Sequence, residues 1–290
     1  MLRTCLVLLV AGLCALWPLN GQNTFQKHYG GSGDDYGADV VAVDDGYVVA
    51  GYTNSSGAGG LDGMLMKVDL NGNVVWQNHY GTIDEDQLSQ VARGNDGGII
   101  AVGDTYGVNG NRDVWILKTD EMGNVEWNKW VGGDQHDFAH QQGKILALSD
   151  GYVISMVQYS TQFNGNQQTA ILRIDNAGNV VWEKAYHSLD FALLTVTDVD
   201  LQNQVLYAGG GSDGDACLVQ LDLTTGDVIT VRRYVGSGSE SLYNVSRLPD
   251  GNLSLSDASW TPGAGEYLSH WLMKTTPGGD ILWSKVYTQA

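Results

Sequence analysis

Trp76-Gln-Asn-His-Tyr80-Gly81 closes a pattern that this chain repeats along its length. Its equivalents are Phe25-Gln-Lys-His-Tyr29, Trp127-Asn-Lys-Trp-Val131, Trp182-Glu-Lys-Ala-Tyr186, Thr230-Val-Arg-Arg-Tyr-Val235 and Trp283-Ser-Lys-Val-Tyr287. Their first residues stand 51, 51, 55, 48 and 53 positions apart. A period of that length means a stacked array of small supersecondary units, none able to bury its apolar face alone. It settles architecture before any residue-level chemistry is considered.

Working outward from that stretch, each unit reads as four strands. In the first copy, a glycine-rich loop, Tyr29-Gly-Gly-Ser-Gly-Asp-Asp35, precedes an apolar run at 38–43. Asp45-Gly46 then makes a tight hairpin turn, and the second strand follows at 47–51. A longer loop leads to Gly63-Met-Leu-Met-Lys-Val-Asp69, and Asn71-Gly72-Asn73 turns the chain into the aromatic strand. The first turn returns as Asp96-Gly97, Asp150-Gly151 and Asp250-Gly251, with Asn203-Gln204 in its place in the fourth copy. The second returns as Gly123-Asn124, Gly178-Asn179, Gly226-Asp227 and Gly279-Asp280. Glycine and asparagine supply the positive backbone angles that such turns require. The third strands, such as Trp115-Ile-Leu-Lys118 and Ile171-Leu-Arg173, are apolar on both faces. That pattern belongs to a small sheet sandwiched between two others.

Four-stranded antiparallel units packed face to face at this period make an all-β propeller. The repeats fall at about 30–80, 81–131, 132–186, 187–235 and 236–287, which predicts five blades in one domain spanning 22–290. A six-bladed ring is the alternative. The aromatic strand occurs six times and the other strands five times. Segments 25–29 and 282–287 are therefore expected to compete for the outer position of one closing blade, one of them adding as an extra edge strand or lying over the seam.

Residues 1–21 read as a signal peptide, with Arg3 as the basic start and an apolar stretch from Cys5 to Trp17. Cys14 raises lipidation as the competing reading, although Leu13 before it is not the small residue a lipobox wants. The exported chain then holds one thiol, Cys217, in an apolar run, so no intrachain disulfide is expected. Net charge is −18, from 33 acids against 15 bases. Such a surface repels phosphate backbones and anionic lipid, which disfavours nucleic-acid binding and electrostatic membrane binding. No transmembrane segment is expected after signal cleavage, and a monomer is the expected state.

The phrases Tyr29-Gly-Gly-Ser-Gly-Asp-Asp-Tyr-Gly37, Asp45-Gly-Tyr-Val-Val-Ala-Gly51 and Lys67-Val-Asp-Leu-Asn-Gly-Asn-Val-Val-Trp76 resemble the repeats of secreted bacterial propeller proteins. Those proteins occur mainly in bacteria that export through the type 9 system. The resemblance covers essentially the whole mature chain and implies a surface or secreted propeller. Members often carry a separate sorting domain after the repeats, whereas this chain stops at Ala290. The expected location is thus the periplasm, the outer membrane or the exterior. Asp222-Leu-Thr-Thr-Gly226 also resembles the turn of quinoprotein-type propeller repeats, but in one copy only.

In a four-stranded meander, the loops after the second and fourth strands emerge on one side. That side is the expected ligand surface, because binding residues concentrate on loops carried by a rigid scaffold. Tyr106, Tyr159, Phe163, Trp260 and Tyr267 are the aromatic candidates for stacking on a sugar or gripping a peptide, with end-capping of the blades as the competing role. Acids on the same side, Asp34, Asp35, Asp84, Asp86, Asp134 and Asp137, are weak calcium candidates. Their recurrence once per repeat fits turn-fixing better. His136 and His140 stand four apart, but on a strand that spacing separates the rings by roughly 13 Å and spoils a metal site. Asp62 with Lys67, and Asp113 with Lys118, suggest an acid pairing with a base on a neighbouring blade. No nucleophile elbow, phosphate loop or isolated acid breaking the repeat is evident. The reading is a non-enzymatic binding or assembly module for a protein or cell-envelope glycan, with no cofactor required. A glycoside hydrolase or lyase with carboxylates in the central channel, or a purely structural spacer, are the alternatives.

Overall fold

A computed structural model describes residues 25–106, 110–133, 135–139, 144–159, 167–186, 191–212, 214–235, 239–260 and 268–287. The first sheet holds β1 (Asp35–Val43), β2 (Gly46–Thr53), β3 (Asp62–Asp69) and β4 (Val74–Tyr80). The second holds β5 (Asp86–Arg93), β6 (Ile99–Tyr106), β7 (Arg112–Thr119) and β8 (Val125–Val131). In the third, β9 (Asp137–Phe138) and β10 (Lys144–Leu148) both pair with β11 (Gly151–Tyr159), followed by β12 (Gln167–Asp175) and β13 (Val180–Tyr186). The fourth is β14 (Phe191–Asp200), β15 (Val205–Ser212), β16 (Asp215–Asp222) and β17 (Val228–Tyr234). The fifth is β18 (Ser239–Arg247), β19 (Leu253–Trp260), β20 (Leu268–Thr275) and β21 (Ile281–Tyr287). Every sheet is an antiparallel meander in chain order, and successive sheets stack in a propeller-like array.

The turn between the third and fourth strands shows why the sequence folds this way locally. Gly72 adopts φ +74°, and its N–H donates to the Asp69 carbonyl at 2.9 Å. The Asp69 carboxylate accepts the N–H groups of Asn71 and Asn73, each at 2.8 Å, and the Asn73 side-chain amide at 2.9 Å. Those bonds hold its pKa below the ordinary carboxylate value. Asp120 and Asp175 repeat the arrangement, while Asp222 serves Thr224 and Thr225 instead.

The inner strands are buried on both faces, as the sandwiched pattern predicts; β6 is buried from Ile99 to Thr105. Four apolar clusters hold the array, one at each junction from the first sheet to the fifth. Among the described residues, no cluster joins the fifth sheet to the first. On the face of the first sheet turned away from the second, Val40 is exposed while Met64, Met66 and Val68 are buried, and all of β21 is exposed.

Of the two outcomes open to segments 25–29 and 282–287, an extra edge strand or a cover over the seam, the first sheet's turn shows the second for 25–29. Segment 25–29 is not a strand, and β21 alone supplies the outer strand of the fifth sheet. The Tyr29 hydroxyl instead donates to the Gly72 carbonyl at 2.8 Å, and Lys27 donates to Asn73 Oδ1 at 2.7 Å. The same contacts recur at the internal junctions. Tyr80 donates to the Gly123 carbonyl at 2.6 Å, Tyr186 to Gly226 at 2.7 Å and Tyr234 to Gly279 at 2.9 Å. Trp76, Trp127 and Trp182 donate their indole N–H groups to Glu121, Asn176 and Leu223 carbonyls. The aromatic row of each of the first four sheets thus grips the turn of the next sheet.

The expected pairing of strand bases with acids on a neighbouring blade is corrected. Lys67 pairs with Asp45, Lys118 with Asp96, Arg173 with Asp150 and Lys274 with Asp250, at 2.8, 2.8, 2.7 and 2.5 Å. Each base meets the first-turn acid of its own sheet, because the hairpin register brings the third strand beside that turn. The fourth sheet, which lacks the Asp-Gly turn, has Gln220 where the others carry the base.

Candidate functional site

The loop side gathers the segments that lead into the third strands and into the next sheet, and these bond to one another. Asn54 N–H donates to the Asp34 carbonyl at 3.1 Å, Asp86 N–H to Leu61 at 2.6 Å and Glu240 N–H to Gly214 at 2.8 Å. Asp35, Asp86 and Asp137 begin the first strands of three successive sheets, opposite Thr53, Thr105 and Gln158. Asp35 accepts Gly31 N–H at 2.7 Å and the hydroxyls of Thr53 and Ser55 at 2.5 and 2.9 Å. Asp86 accepts Thr82 N–H at 2.6 Å and the Thr105 hydroxyl. Asp137 accepts Gly133 N–H at 2.5 Å and Tyr159 N–H at 3.2 Å. These oxygens are engaged in fixing the loops. Asp34 and Asp84 are exposed, and Asp134 lies outside the described residues. Among the described residues, no three His, Cys, Asp or Glu side chains gather as a metal would need.

Three of the aromatic candidates occupy one register position. Tyr106 pairs with Arg112, Tyr159 with Gln167 and Trp260 with Leu268, each at the loop-side end of a second strand. Phe163 and Tyr267 lie outside the described residues, as do His140 and the signal segment 1–21.

Tyr106 and Tyr159 flank a cluster over the second and third sheets. The Arg112 guanidinium lies over the Tyr106 ring at 5.0 Å and donates to Glu85 at 2.9 Å. It also stands 3.9 Å from Asp104, whose carboxylate is buried and accepts Ala139 N–H at 2.6 Å. Burial works against the Arg112 charge, but Tyr106, Asp104 and Glu85 together outweigh it and leave its pKa raised. Arg112 N–H donates to His136 Nδ1 at 2.9 Å, which places the imidazole proton on Nε2 in the neutral ring. The His136 ring stacks on Phe138 at 6.0 Å, and Phe138 meets Tyr159 edge-on at 6.0 Å. Asp113 sits close beneath the Gly132 backbone, and burial pushes its carboxyl above the usual range.

Asp104 and Arg112 are where the repeat breaks. At the register position of Asp104 the other sheets carry Tyr52, Val157, Gly211 and Ala258. At the position of Arg112 they carry Leu61, Gln167, Gly214 and Leu268. Neither residue stands out in the sequence as an isolated charge. Strand-by-strand alignment of the five copies is the signal that exposes them. The cluster offers a held cation, two carboxylates, a neutral imidazole donor and aromatic rings on one side of a stiff array. Chemically it suits hydrogen bonding and stacking.

No family model matches the chain, and no curated protein sequence does. Among solved structures, hydrazine synthase from Kuenenia stuttgartiensis matches with TM-score 0.54 at 15% identity, over 91% of this chain and 69% of that one. The Dos1 propeller matches with TM-score 0.51 at 10% identity, over 86% of this chain and 70% of its own. An apocarotenoid oxygenase from Synechocystis gives 0.48 at 13% identity, and the chain spans 62% of its length. At such identities the likeness is one of fold alone.

Proposed function

We propose that this chain is an exported, non-enzymatic binding module of five blades, whose loop side takes a protein or a cell-envelope glycan. The observation that carries this reading is the Asp104–Arg112 pair, charged where the other four sheets are neutral, beside Tyr106, Phe138 and Tyr159. Asp104 also accepts the Ala139 N–H, so the charge that goes beyond what the other sheets need is that of Arg112, held over the Tyr106 ring. Aromatic rings beside a fixed guanidinium bind sugar faces or peptide side chains at low entropic cost. Half-buried Asp35 and buried Asp86 and Asp137 keep the loops in place, so the surface is preorganised.

Retention of immobilised protein on cell-envelope polysaccharide and on envelope protein fractions tests the reading, with and without chelator. Replacing Arg112 and Tyr159 together by alanine should lower retention by about tenfold or more. Equal retention by the wild type and that variant would sink it. Cleavage of polysaccharide that disappears in Asp104→Asn or Asp113→Asn would establish the enzymatic alternative instead. Loss of retention in chelator would add calcium to the account.

A further inference from the structure

One cross-strand pair, between the third and fourth strands, differs sharply from sheet to sheet. Met64 stands opposite His79, Trp115 opposite Trp130, Ala170 opposite Ala185, Cys217 opposite Arg233 and Trp271 opposite Val286. Only the second sheet pairs two indoles. Partners in an antiparallel ladder share a face and lie within reach of each other. Trp115 packs into the junction with the first sheet, where a Cβ on Gly63 would fall 2.8 Å from its Cζ3. Trp130 lies at the outside and is 55% exposed.

These two indoles wall a cavity of about 260 Å³ between the first and second sheets. Asn128 continues the wall, and Tyr80 and Thr82 contribute from the end of β4 and the loop after it. Trp115 is 4% exposed, yet its Nε1 has no hydrogen-bond partner among the described residues. Buried donors are nearly always paired. The indoles of Trp76, Trp127 and Trp182 each reach a carbonyl of the next sheet, so Trp115 departs from what the repeat provides.

We propose that this cavity binds one neutral sugar ring, with Trp130 as the stacking surface and the Trp115 N–H as the donor that orients the ring. The lining holds no lysine or arginine, and its one acid, Asp86, spends its oxygens on Thr82 and Thr105. An anionic ligand would find no counter-ion there and would meet a chain of net charge −18. The volume falls just under the range of drug-sized pockets, which suits a single ring and not an extended peptide. A hydroxyl both accepts and donates, so one sugar hydroxyl can take the Trp115 proton and give its own to the Asn128 side-chain oxygen. The C–H face of the ring then packs on the exposed Trp130 indole. The site uses neither Arg112 nor Tyr159, so it stands or falls apart from the loop-side cluster.

Titration calorimetry of the full chain with maltotriose, cellotriose and chitotriose tests this, together with NMR of the indole N–H groups. At least one trisaccharide should bind and move the Trp115 N–H signal, which is assigned by its loss in Trp115→Phe. Trp130→Ala should weaken that binding by about tenfold or more, and Trp115→Phe by about fivefold. Val286→Ala, at the position of Trp130 in the fifth sheet, should leave it unchanged. Binding of none of the three sugars overturns the proposal. So does binding that leaves the Trp115 signal in place, or that survives Trp130→Ala and is lost in Arg112→Ala, which would put the glycan at the loop-side cluster. Binding of a neutral tyrosine-containing tripeptide in place of every sugar would also overturn it. Should Trp115→Phe fail to fold, Trp130→Ala changes an exposed side chain and decides the matter alone.

Discussion

The Tyr186 hydroxyl donates a 2.7 Å hydrogen bond to the carbonyl of Gly226, forty residues on and in the next sheet. Tyr186 is the outer residue of its strand, yet it is as buried as the core beside which it packs. The stability of the array is written in such contacts between sheets. Tyr186→Phe should cost about 1–2 kcal/mol, since it leaves the carbonyl without this partner in a dry junction. Tyr186→Ala should cost about 3–5 kcal/mol through the added cavity. Tyr287→Ala, whose ring is 53% exposed, should change stability by less than about 0.5 kcal/mol. Urea unfolding of the three variants checks the order.

Gly123 and Gly251 separate backbone strain from junction packing. Both have left-handed φ, +80° and +82°. A Cβ on Gly251 meets nothing within 4 Å, whereas one on Gly123 falls 2.5 Å from Asn78 Nδ2 and 3.0 Å from Trp76 and the Tyr80 hydroxyl. Gly251→Ala should therefore cost about 1 kcal/mol, from the backbone alone. Gly123→Ala should cost about 2–4 kcal/mol, because the grip of the first sheet must also shift. Thermal midpoints of both variants give the comparison.

Lys118 is fully buried and meets Asp96 and Glu126 at 2.8 and 2.7 Å. Burial opposes its charge, and the two carboxylates outweigh that and keep its pKa raised. Its acids are about half exposed and stay hydrated if the base is lost. Lys118→Met, which fills the same space, should cost about 1–2 kcal/mol, and Lys118→Ala about 3–4. Equal losses in chemical denaturation would show that the ion pairs, and not the packed stem, carry the site.

Acid should weaken the turns from one direction. Asp69, Asp120 and Asp175 are held below the ordinary value of 3.8 by their bonds to Asn73, Asn124 and Asn179, and Asp250 by Lys274 to about 2. Groups with depressed folded pKa values contribute stability that is complete above pH ~4 and is lost as pH falls toward ~2. The unfolding midpoint should decline over that window, and Asp250→Asn should flatten the decline. A midpoint level down to pH ~2 contradicts the assignment.

Alkali should weaken the junctions from the other direction. Burial raises the Tyr80 and Tyr234 hydroxyls from 10.0 to about 12 and raises Tyr186 as well. Raised pKa values contribute stability that is present below pH ~10 and lost as pH climbs toward ~12. Tyrosinate absorbance at 295 nm followed across that range should therefore rise with unfolding, in a step that replacing Tyr80 and Tyr234 by phenylalanine diminishes.

Much of the loop side was legible because it rests on turn chemistry. Tyr106, Tyr159 and Trp260 were found by their place after a second strand, and the register puts them at one position. Asp104 and Arg112 were not found. Each is unremarkable among its sequence neighbours, and its oddness appears only beside Tyr52, Val157 or Gln167 in other sheets. The His136/His140 spacing argued against a metal on a strand but gave no other role, and the fold uses His136 Nδ1 to accept the Arg112 N–H.

The sequence by itself determined the strands, their meander order and their turns. Those depend on alternation and on residues such as Gly72 and Asp69 that act within a few positions of themselves. Only the tertiary structure decided what each aromatic row of the 50-residue period holds. Phe25 to Tyr29 and Trp283 to Tyr287 read alike, yet one covers a turn without being a strand and the other is a strand with exposed aromatic residues. The difference lies in which sheet stands beside each, and that is set by packing between residues forty or more positions apart, where no local pattern reaches.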